Sequence, residues 1–235
     1  MLRTKLFYIL CLFAIATSIT IFLPGSSGSA LLRRVTSTDE EIVNLNPALS
    51  GDGRFVAFES TADLAGVDGG RALRAIRAEL AVNPTAFVQM GISRAVAPAI
   101  SQDASHVAFA SHEDPLGLNP DRNSEIFLFD GSTLKQITNT KPGEASTRTR
   151  DGNFQPSITD DGSLIAFASN RNLTERNADQ NFEIVVYDRV TGSFGQLTES
   201  LGISSATDAK ISGDGSHVAS IRHTSDGQVA SRELV

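Results

Sequence analysis

The sequence predicts an all-β protein: a β-propeller of about four blades, each of them a four-stranded antiparallel sheet. Three observations support this fold class. A motif of 14 residues recurs four times without gaps, each copy joins a tight turn to a short run of β-forming residues, and further strand-like segments follow the motif. The copies begin near residues 47, 98, 156 and 209, at spacings of 51, 58 and 53 residues, which is the size of one propeller blade.

Each motif begins with a turn and continues as a strand. Asp-Gly occupies the turn in three copies, at Asp52, Asp161 and Asp214, and the glycine supplies the positive φ that a tight hairpin needs. Ala104 replaces this glycine in the second copy, so we expect that turn to be strained or of another type. The run that follows, Phe55 to Phe58 in the first copy, is typical of a strand covered on both faces. Its alanine predicts the close approach of a neighbouring sheet.

The second half of the repeat supplies two more strands. The segments Glu125–Asp130 and Glu183–Asp188 start at the same distance from their motifs. Each is followed by a turn that contains glycine and by another strand, Leu134–Thr138 or Phe194–Thr198. The first unit is degenerate here, and its outer two strands are expected at Ala72–Leu80 and Ala86–Ile92. Arg71–Leu80 also fits a helix, and only the repeat context favours the strand.

Two ways of ending the ring are compatible with the sequence. Leu32–Thr36 resembles the last strand of a unit, and the fourth unit supplies only three strands before Val235. An N-terminal strand that completed the C-terminal blade would close a ring of four blades and remove two sheet edges. The alternative is an incomplete or open propeller.

Residues 1–30 are predicted to direct export. Arg3 and Lys5 precede the uncharged run Leu6–Leu23, and small residues follow at the end of the segment, which is the layout of a signal peptide. Because about 20 apolar residues also span a bilayer, an uncleaved inner-membrane anchor formed by residues 6–23 is the alternative. In both cases the propeller, residues 31–235, is expected in the periplasm or outside the cell.

Composition and motifs limit the classes of function. The 27 acidic against 20 basic residues give no electrostatic support to nucleic-acid binding, and membrane contact is expected only through the N-terminal segment. The one cysteine, Cys11, lies in the apolar N-terminal run, which excludes a disulfide scaffold and a cysteine zinc site. The sequence contains no nucleophile elbow, phosphate loop or His-Glu-x-x-His helix. His106 and His217 share one slot of the repeat, which favours packing, so no catalytic residue is predicted.

Two long loops carry the only chemistry that resembles a site. Oxygen-bearing side chains alternate along them, which places these side chains on one side of a tight loop, as a hard cation such as Ca²⁺ requires. The glycine and the bidentate acid of an EF-hand-like loop are missing, however, and the same residue types cap turns that lead into strands. We favour capping and keep Ca²⁺ as the alternative cofactor. The candidate metal ligands are Asn119, Asp121, Asn123 and Glu125 in the second unit and Asn177, Asp179, Asn181 and Glu183 in the third.

The repeat resembles the TolB-type WD-like β-propeller repeat. The resemblance rests on Pro-x-Ile-Ser-x-Asp-Gly-x-x-Ile-Ala-Phe-x-Ser, a later Glu-Ile-x-x-Tyr/Phe-Asp strand and a closing Leu/Ile-Thr. It covers roughly residues 31–235, and residues 156–198 match best. The resemblance implies an exported bacterial propeller that acts as a binding scaffold. The same repeat forms the substrate-gating propeller of prolyl-oligopeptidase-type peptidases.

Three functions are compatible with these observations. We expect a non-catalytic scaffold that binds a protein or peptide partner through loops at one end of the ring, an expectation that rests partly on fold analogy. The second hypothesis is a propeller-type hydrolase or lyase, or the gating domain of a peptidase. The third is a calcium-stabilised cell-surface module.

Overall fold

The structure is a computed structural model that describes residues 33–67, 70–142, 152–225 and 230–234. The chain divides into two units, Met1–Arg34 and Val35–Val235, and all assigned strands belong to the second. The predicted export segment, residues 1–30, lies outside the described residues. Within the described ranges, no helix has the length and apolar character needed to cross a membrane.

The described residues form fifteen strands in four antiparallel sheets, and the strands of each sheet are neighbours in chain order. This confirms the predicted all-β propeller class, and Ala72–Leu80 contains a strand. The first sheet consists of β1 (Asn44–Leu49), β2 (Phe55–Ser60), β3 (Arg74–Glu79) and β4 (Ala86–Ile92), and the second of β5 (Ala99–Ile100), β6 (Val107–Ser111), β7 (Glu125–Phe129) and β8 (Leu134–Gln136). The third sheet consists of β9 (Asn153–Ile158), β10 (Leu164–Ser169), β11 (Glu183–Asp188) and β12 (Ser193–Gln196), and the fourth of β13 (Ser205–Ile211), β14 (Val218–Ser225) and β15 (Ala230–Leu234).

Where two successive sheets meet, large side chains of the later sheet pack onto alanines of the earlier sheet. Ile165 and Phe167 of β10 share a fully buried cluster with Ala108 and Ala110 of β6. Phe109 of β6 packs in the same way in a cluster with alanines of the first sheet. The small alanine side chain lets two sheets approach closely, which confirms the role predicted for the alanine of the motif.

The N-terminal strand predicted to close the ring is not formed. Residues 33–36 adopt no strand, and Val35 packs against Phe58, Ile76 and Ala78 of the first sheet. Val35 therefore covers an apolar face of the first sheet and does not pair with the fourth, which has three strands in the part of the chain that the structure describes. The first and fourth sheets do not pack on each other as successive sheets do. This arrangement is the open alternative.

The four repeat turns share one hydrogen-bond arrangement, in which the aspartate side chain accepts hydrogen bonds from other residues of the same turn. Asp161 Oδ1 accepts from Thr159 Oγ1 (2.7 Å) and from the Ser163 backbone N–H (2.9 Å). Gly162 has φ +70° in this turn, and Ala104 has φ 58° at the equivalent position of the second turn. The second turn is therefore the strained alternative, because an alanine adopts the left-handed conformation.

We expect Asp161 to make stability depend on pH in the acidic range. Hydrogen bonds, first that from the Ser163 backbone N–H, lower the pKa of Asp161 to about 2. A lowered folded-state pKa contributes stability that is present above the unfolded-state value and is lost as the pH falls through the folded-state value. Thermal melts between about pH 4 and pH 2 should therefore fall less steeply for Asp161→Asn than for the wild type. Asp121→Asn is the control, because Asp121 is equally exposed but its carboxylate accepts no hydrogen bond from the residues that the structure describes. An equal change of slope in that variant would contradict the prediction.

Candidate functional site

The first strands of the four sheets, β1, β5, β9 and β13, contact one another in succession, and we call the side of the sheets that they form the channel side. A pocket of about 370 Å³ lies between them and is lined by residues of all four repeat units. A second pocket of about 470 Å³ adjoins it beside β9 and β13. We call the two together the channel pocket. It is lined by Asn46, 94–97, 154–156, Phe182, Ser205, Thr207, Asp208, Lys210 and His223.

Three of these first strands carry a β-bulge that displays a polar side chain toward the channel side. Asn46, Gln155 and Asp208 have φ values of 51°, 56° and 57°, and the strand register shifts at each of them. Each stands immediately before a repeat motif. A bulge redirects a side chain without ending the strand, which explains why the same position lines the pocket in three units. Sequence reasoning missed these residues, although the amide or acid just before the motif was the available signal.

A hydrogen-bonded chain joins the third and fourth sheets in the channel wall. Gln155 Nε2 donates to Asp208 Oδ1, and the Asp208 backbone N–H donates back to Gln155 Oε1 (3.2 Å). Thr207 Oγ1 donates to Asp208 Oδ2 (2.7 Å) and lies 2.8 Å from His223 Nε2. His223, which the sequence analysis did not select, is therefore a pocket residue held in place on β14.

A buried acid, Glu59, holds the wall of the channel pocket that the first sheet forms. Glu59 is fully buried in β2, and its Oε2 accepts a hydrogen bond from Asn46 Nδ2 (2.5 Å). Its Oε1 accepts from Ser93 Oγ and from the Val96 backbone N–H (3.2 Å) in the segment that leads to β5. These bonds tie the first sheet to the second at the edge of the channel pocket. The repeat pattern does not point to Glu59, because the other units have alanine or isoleucine at this position.

The pocket also presents two cations and an aromatic ring. The Arg94 guanidinium lies over the Phe154 ring, 5.3 Å from its centroid, which is a cation–π geometry. Lys210 is exposed on β13 and makes no side-chain hydrogen bond or ion pair with any residue that the structure describes. Its ammonium group is therefore available to an acidic group of a ligand.

Exposed apolar side chains lie beside the pocket on the loop between β12 and β13. Leu201 and Ile203 expose 81% and 71% of their surface, just before Ser205 of the pocket. The loop is held by two residues of the third sheet's long loop. The Gly202 backbone N–H donates to Asp179 Oδ2 (3.1 Å), and Asn181 Nδ2 donates to the Ser200 carbonyl (3.0 Å).

The predicted metal ligands are brought together only in part. The side-chain amides of their asparagines donate hydrogen bonds to backbone carbonyls, and two of these bonds lie within the loops themselves. Asn119 Nδ2 donates to the Asn123 carbonyl (3.1 Å), and Asn177 Nδ2 makes the equivalent bond to the Asn181 carbonyl (2.9 Å). All four asparagines are buried, whereas Asp121 points into solvent. The repeat therefore places the same two amides in the same two positions of both loops.

The two predicted glutamates join the start of the third strand of their sheet to the residues that follow the fourth. Glu125 accepts hydrogen bonds from Thr138 Oγ1, from the Thr140 backbone N–H (2.6 Å) and from Asn153 Nδ2 (2.9 Å). Burial raises the pKa of the Glu125 carboxyl despite these bonds. Glu183 makes the equivalent bonds in the third sheet, for which the donors are Thr198 Oγ1 (2.5 Å) and the Ser200 backbone N–H (2.6 Å).

The two long loops fit a calcium ion in one respect and not in another. Hard cations take oxygen ligands, and the Oδ1 atoms of the four loop asparagines are buried without a hydrogen-bond partner among the described residues. The two glutamates, however, already accept several hydrogen bonds. Within the described part of the chain, no three His, Cys, Asp or Glu side chains cluster so that they could hold a metal ion. Calcium binding by these loops stays a prediction.

Comparison with known proteins supports the fold and no closer relationship. No protein-family model and no curated protein matches the sequence. The structure is similar to TolB from Acinetobacter baumannii (TM-score 0.55, 20% identity, 85% of this chain and 42% of that one) and to a protein assigned as TolB from Agrobacterium tumefaciens (0.55, 20%, 86% and 61%). It is also similar to an oligogalacturonate lyase in complex with manganese, with a TM-score of 0.51 and 18% identity over 83% of this chain and 51% of that one. The chain spans less than two thirds of the length of each of these proteins. Its fold is that of a TolB-like β-propeller.

Proposed function

We propose that this chain is an exported, non-catalytic scaffold that binds a protein or peptide partner at the channel pocket. One observation carries the proposal: residues of all four repeat units line the pocket, and two strongly exposed apolar side chains lie on the loop beside it. Exposed apolar residues next to a polar cavity are typical of surfaces that bind other proteins.

The chemistry of the pocket suits a peptide with an acidic group. Lys210 offers a charge-assisted hydrogen bond to that group. Leu201 and Ile203 would take apolar side chains of the same partner, since their burial on binding gains free energy from the hydrophobic effect. Export through residues 1–30 would place this surface in the periplasm or outside the cell, or at the inner membrane if residues 6–23 stay as an anchor.

A propeller-type hydrolase or lyase is the second candidate, because the pocket holds an acid and a histidine. His223 and Asp208 are joined through Thr207 in the channel wall. The Thr207 hydroxyl donates its proton to Asp208, so the short contact with His223 requires the imidazole Nε2–H to donate to Thr207. In this arrangement the Nε2 proton points at the wall and not at a substrate. For this reason we place the enzyme second.

Site-specific photocrosslinking in cells that export the full chain tests the proposal. A crosslinking residue at Ile203 should give adducts of defined mass, and these should be lost when Leu201 is changed to aspartate. Val190 is the matched control, since it is 78% exposed but lies on the β11–β12 turn at the other end of the sheet. Equal adducts from position 190, or none from position 203, would contradict the proposal. A turnover activity that His223→Ala abolishes would favour the second candidate.

A further inference from the structure

A further pocket lies where the second and third sheets meet, and it shares no residue with the channel pocket. It has a volume of about 440 Å³ and is formed by the segment after β8 and by the long loop between β10 and β11. We call it the junction pocket. The described residues that line it are 139–142, 171–173 and Gln180, and none of them is acidic.

Two cations line the junction pocket. Arg171 exposes only 6% of its surface, so its guanidinium lies where water is partly excluded, which strengthens its attraction to an anion. Lys141 is exposed and makes no side-chain hydrogen bond or ion pair with any residue that the structure describes. The pocket therefore favours a ligand that carries negative charge.

Three neutral amides complete the set of donors. Asn172 Oδ1 accepts a hydrogen bond from the Asn177 backbone N–H (2.8 Å), which leaves the Asn172 NH₂ group as the part of the amide that can bind a ligand. Asn139 and Gln180 are exposed at the pocket, and their side chains make no hydrogen bond within the described part of the chain. The pocket thus combines two positive charges with amide donors from separate stretches of the chain.

The positive charge is specific to this junction. In the second sheet, the positions that correspond to Arg171 and Gln180 are occupied by Glu113 and Arg122, which form an ion pair. The two positions together are neutral in the second sheet and carry a positive charge in the third. The fold does not require a cation here, because the equivalent loop of the second sheet forms with a glutamate at that position. A departure of this kind from the repeat is typical of a site placed on a shared scaffold.

The acids closest in sequence to these donors are directed elsewhere. Glu125 accepts hydrogen bonds from Thr138 Oγ1 and from the Thr140 backbone N–H (2.6 Å). Asp179 Oδ2 accepts from the Gly202 backbone N–H (3.1 Å), in the loop that leads to the fourth sheet. Neither acid lines the junction pocket, so neither competes with an anion inside it.

We propose that the junction pocket binds the phosphoryl group of a phosphate monoester. Arginine and lysine pair with phosphate oxygens, and the guanidinium fork can hold two of them at once. A phosphoryl group directs its oxygens in several directions, which matches donors from three stretches of chain, whereas a carboxylate offers two oxygens in one plane. The volume of about 440 Å³ exceeds that of a bare phosphate, and Leu173 can contact the organic part of the ligand.

Calorimetric titration of the full chain with glycerol 3-phosphate, at constant ionic strength, tests the site. The wild type should bind saturably, and Lys141→Ala should weaken binding about tenfold, the effect of losing one charge-assisted hydrogen bond. Lys135→Ala is the matched control, since Lys135 is exposed on β8 and does not line the pocket. It should bind as the wild type does. No saturable binding up to millimolar ligand, or an equal loss in the two variants, would overturn the proposal.

Gln180→Glu tests the charge of the pocket without changing a buried residue. The added acid should abolish the binding of glycerol 3-phosphate and leave the melting temperature unchanged, because Gln180 is exposed. Binding that survives this change would place the ligand elsewhere. Succinate tests the ligand class, and a dissociation constant for succinate equal to that for glycerol 3-phosphate would contradict the assignment to phosphate.

The phosphoryl group can belong to a soluble molecule or to a lipid headgroup. Sedimentation with phosphatidylcholine vesicles that contain phosphatidic acid distinguishes the two, and vesicles of phosphatidylcholine alone account for binding through the apolar N-terminal segment. Additional binding that only Lys141→Ala reduces assigns the lipid. Glycerol 3-phosphate binding without additional vesicle binding assigns the soluble ligand. Vesicle binding that Lys135→Ala reduces equally would reflect general attraction to an anionic surface and contradict a lipid site in the pocket.

Discussion

Replacing Glu125 by alanine is expected to lower the free energy of unfolding by about 3 kcal/mol, or the melting temperature by about 6–12 °C. The carboxylate is fully buried and accepts hydrogen bonds from Thr138, Thr140 and Asn153. Alanine removes the acceptor and leaves these donors buried without a partner, which costs more than the bonds themselves contribute. Thermal and denaturant unfolding of the wild type and the variant measure the loss.

Asp121→Ala is the matched control for this change. Asp121 belongs to the same predicted ligand set but is exposed, so its removal should change the free energy of unfolding by less than about 0.5 kcal/mol. A loss as large as that of the Glu125 variant would show that the loop depends on Asp121 in a way that its exposure does not explain.

The same melts separate capping from calcium binding. If the loops bind Ca²⁺, saturating calcium should stabilise the wild type by about 2.7 kcal/mol at 100 times the dissociation constant, and Glu125→Ala should reduce this gain. If Glu125 only accepts hydrogen bonds from the protein, its removal should cost the same in calcium and in chelator. A wild-type melt that is identical in both conditions would contradict the calcium prediction.

The sheets could be predicted from the sequence because each repeat carries its own local signals. The Asp-Gly turns and the apolar runs after them determine where strands such as β10 begin, whatever the neighbouring unit does. The ends of the outer strands could not be predicted. The segments Leu134–Thr138 and Phe194–Thr198 end as strands two residues early, at Gln136 and Gln196. The reason is that the Thr138 and Thr198 hydroxyls turn inward to bind buried glutamates.

The channel pocket could not be predicted because its walls are distant in the sequence. Asn46, Gln155 and Asp208 are aimed at the channel pocket by bulges, and the amide or acid before each motif does not by itself reveal that a bulge turns it there. In the long loops, the alternation of asparagines correctly singled out residues with a shared role. Alternation alone did not show that Asp121 would point outward while Asn119 and Asn123 would be buried.

Phe167→Ala is expected to lower the free energy of unfolding by about 3–5 kcal/mol, the range for truncating a buried phenylalanine. Phe167 is fully buried where the third sheet packs onto the second, and its ring meets Phe194 edge to face at 6.3 Å between centroids. Alanine would leave a cavity between two sheets whose backbones cannot move together, because the alanines of β6 already set their approach.

Val190→Ala is the control for this change. At its exposed turn, it should change the free energy of unfolding by less than about 0.5 kcal/mol. A loss below about 1 kcal/mol for Phe167→Ala would mean that the sheets are held mainly by their loops and hydrogen bonds and not by this packing. The packing of large side chains onto alanines would then not be what stabilises the junction between the second and third sheets.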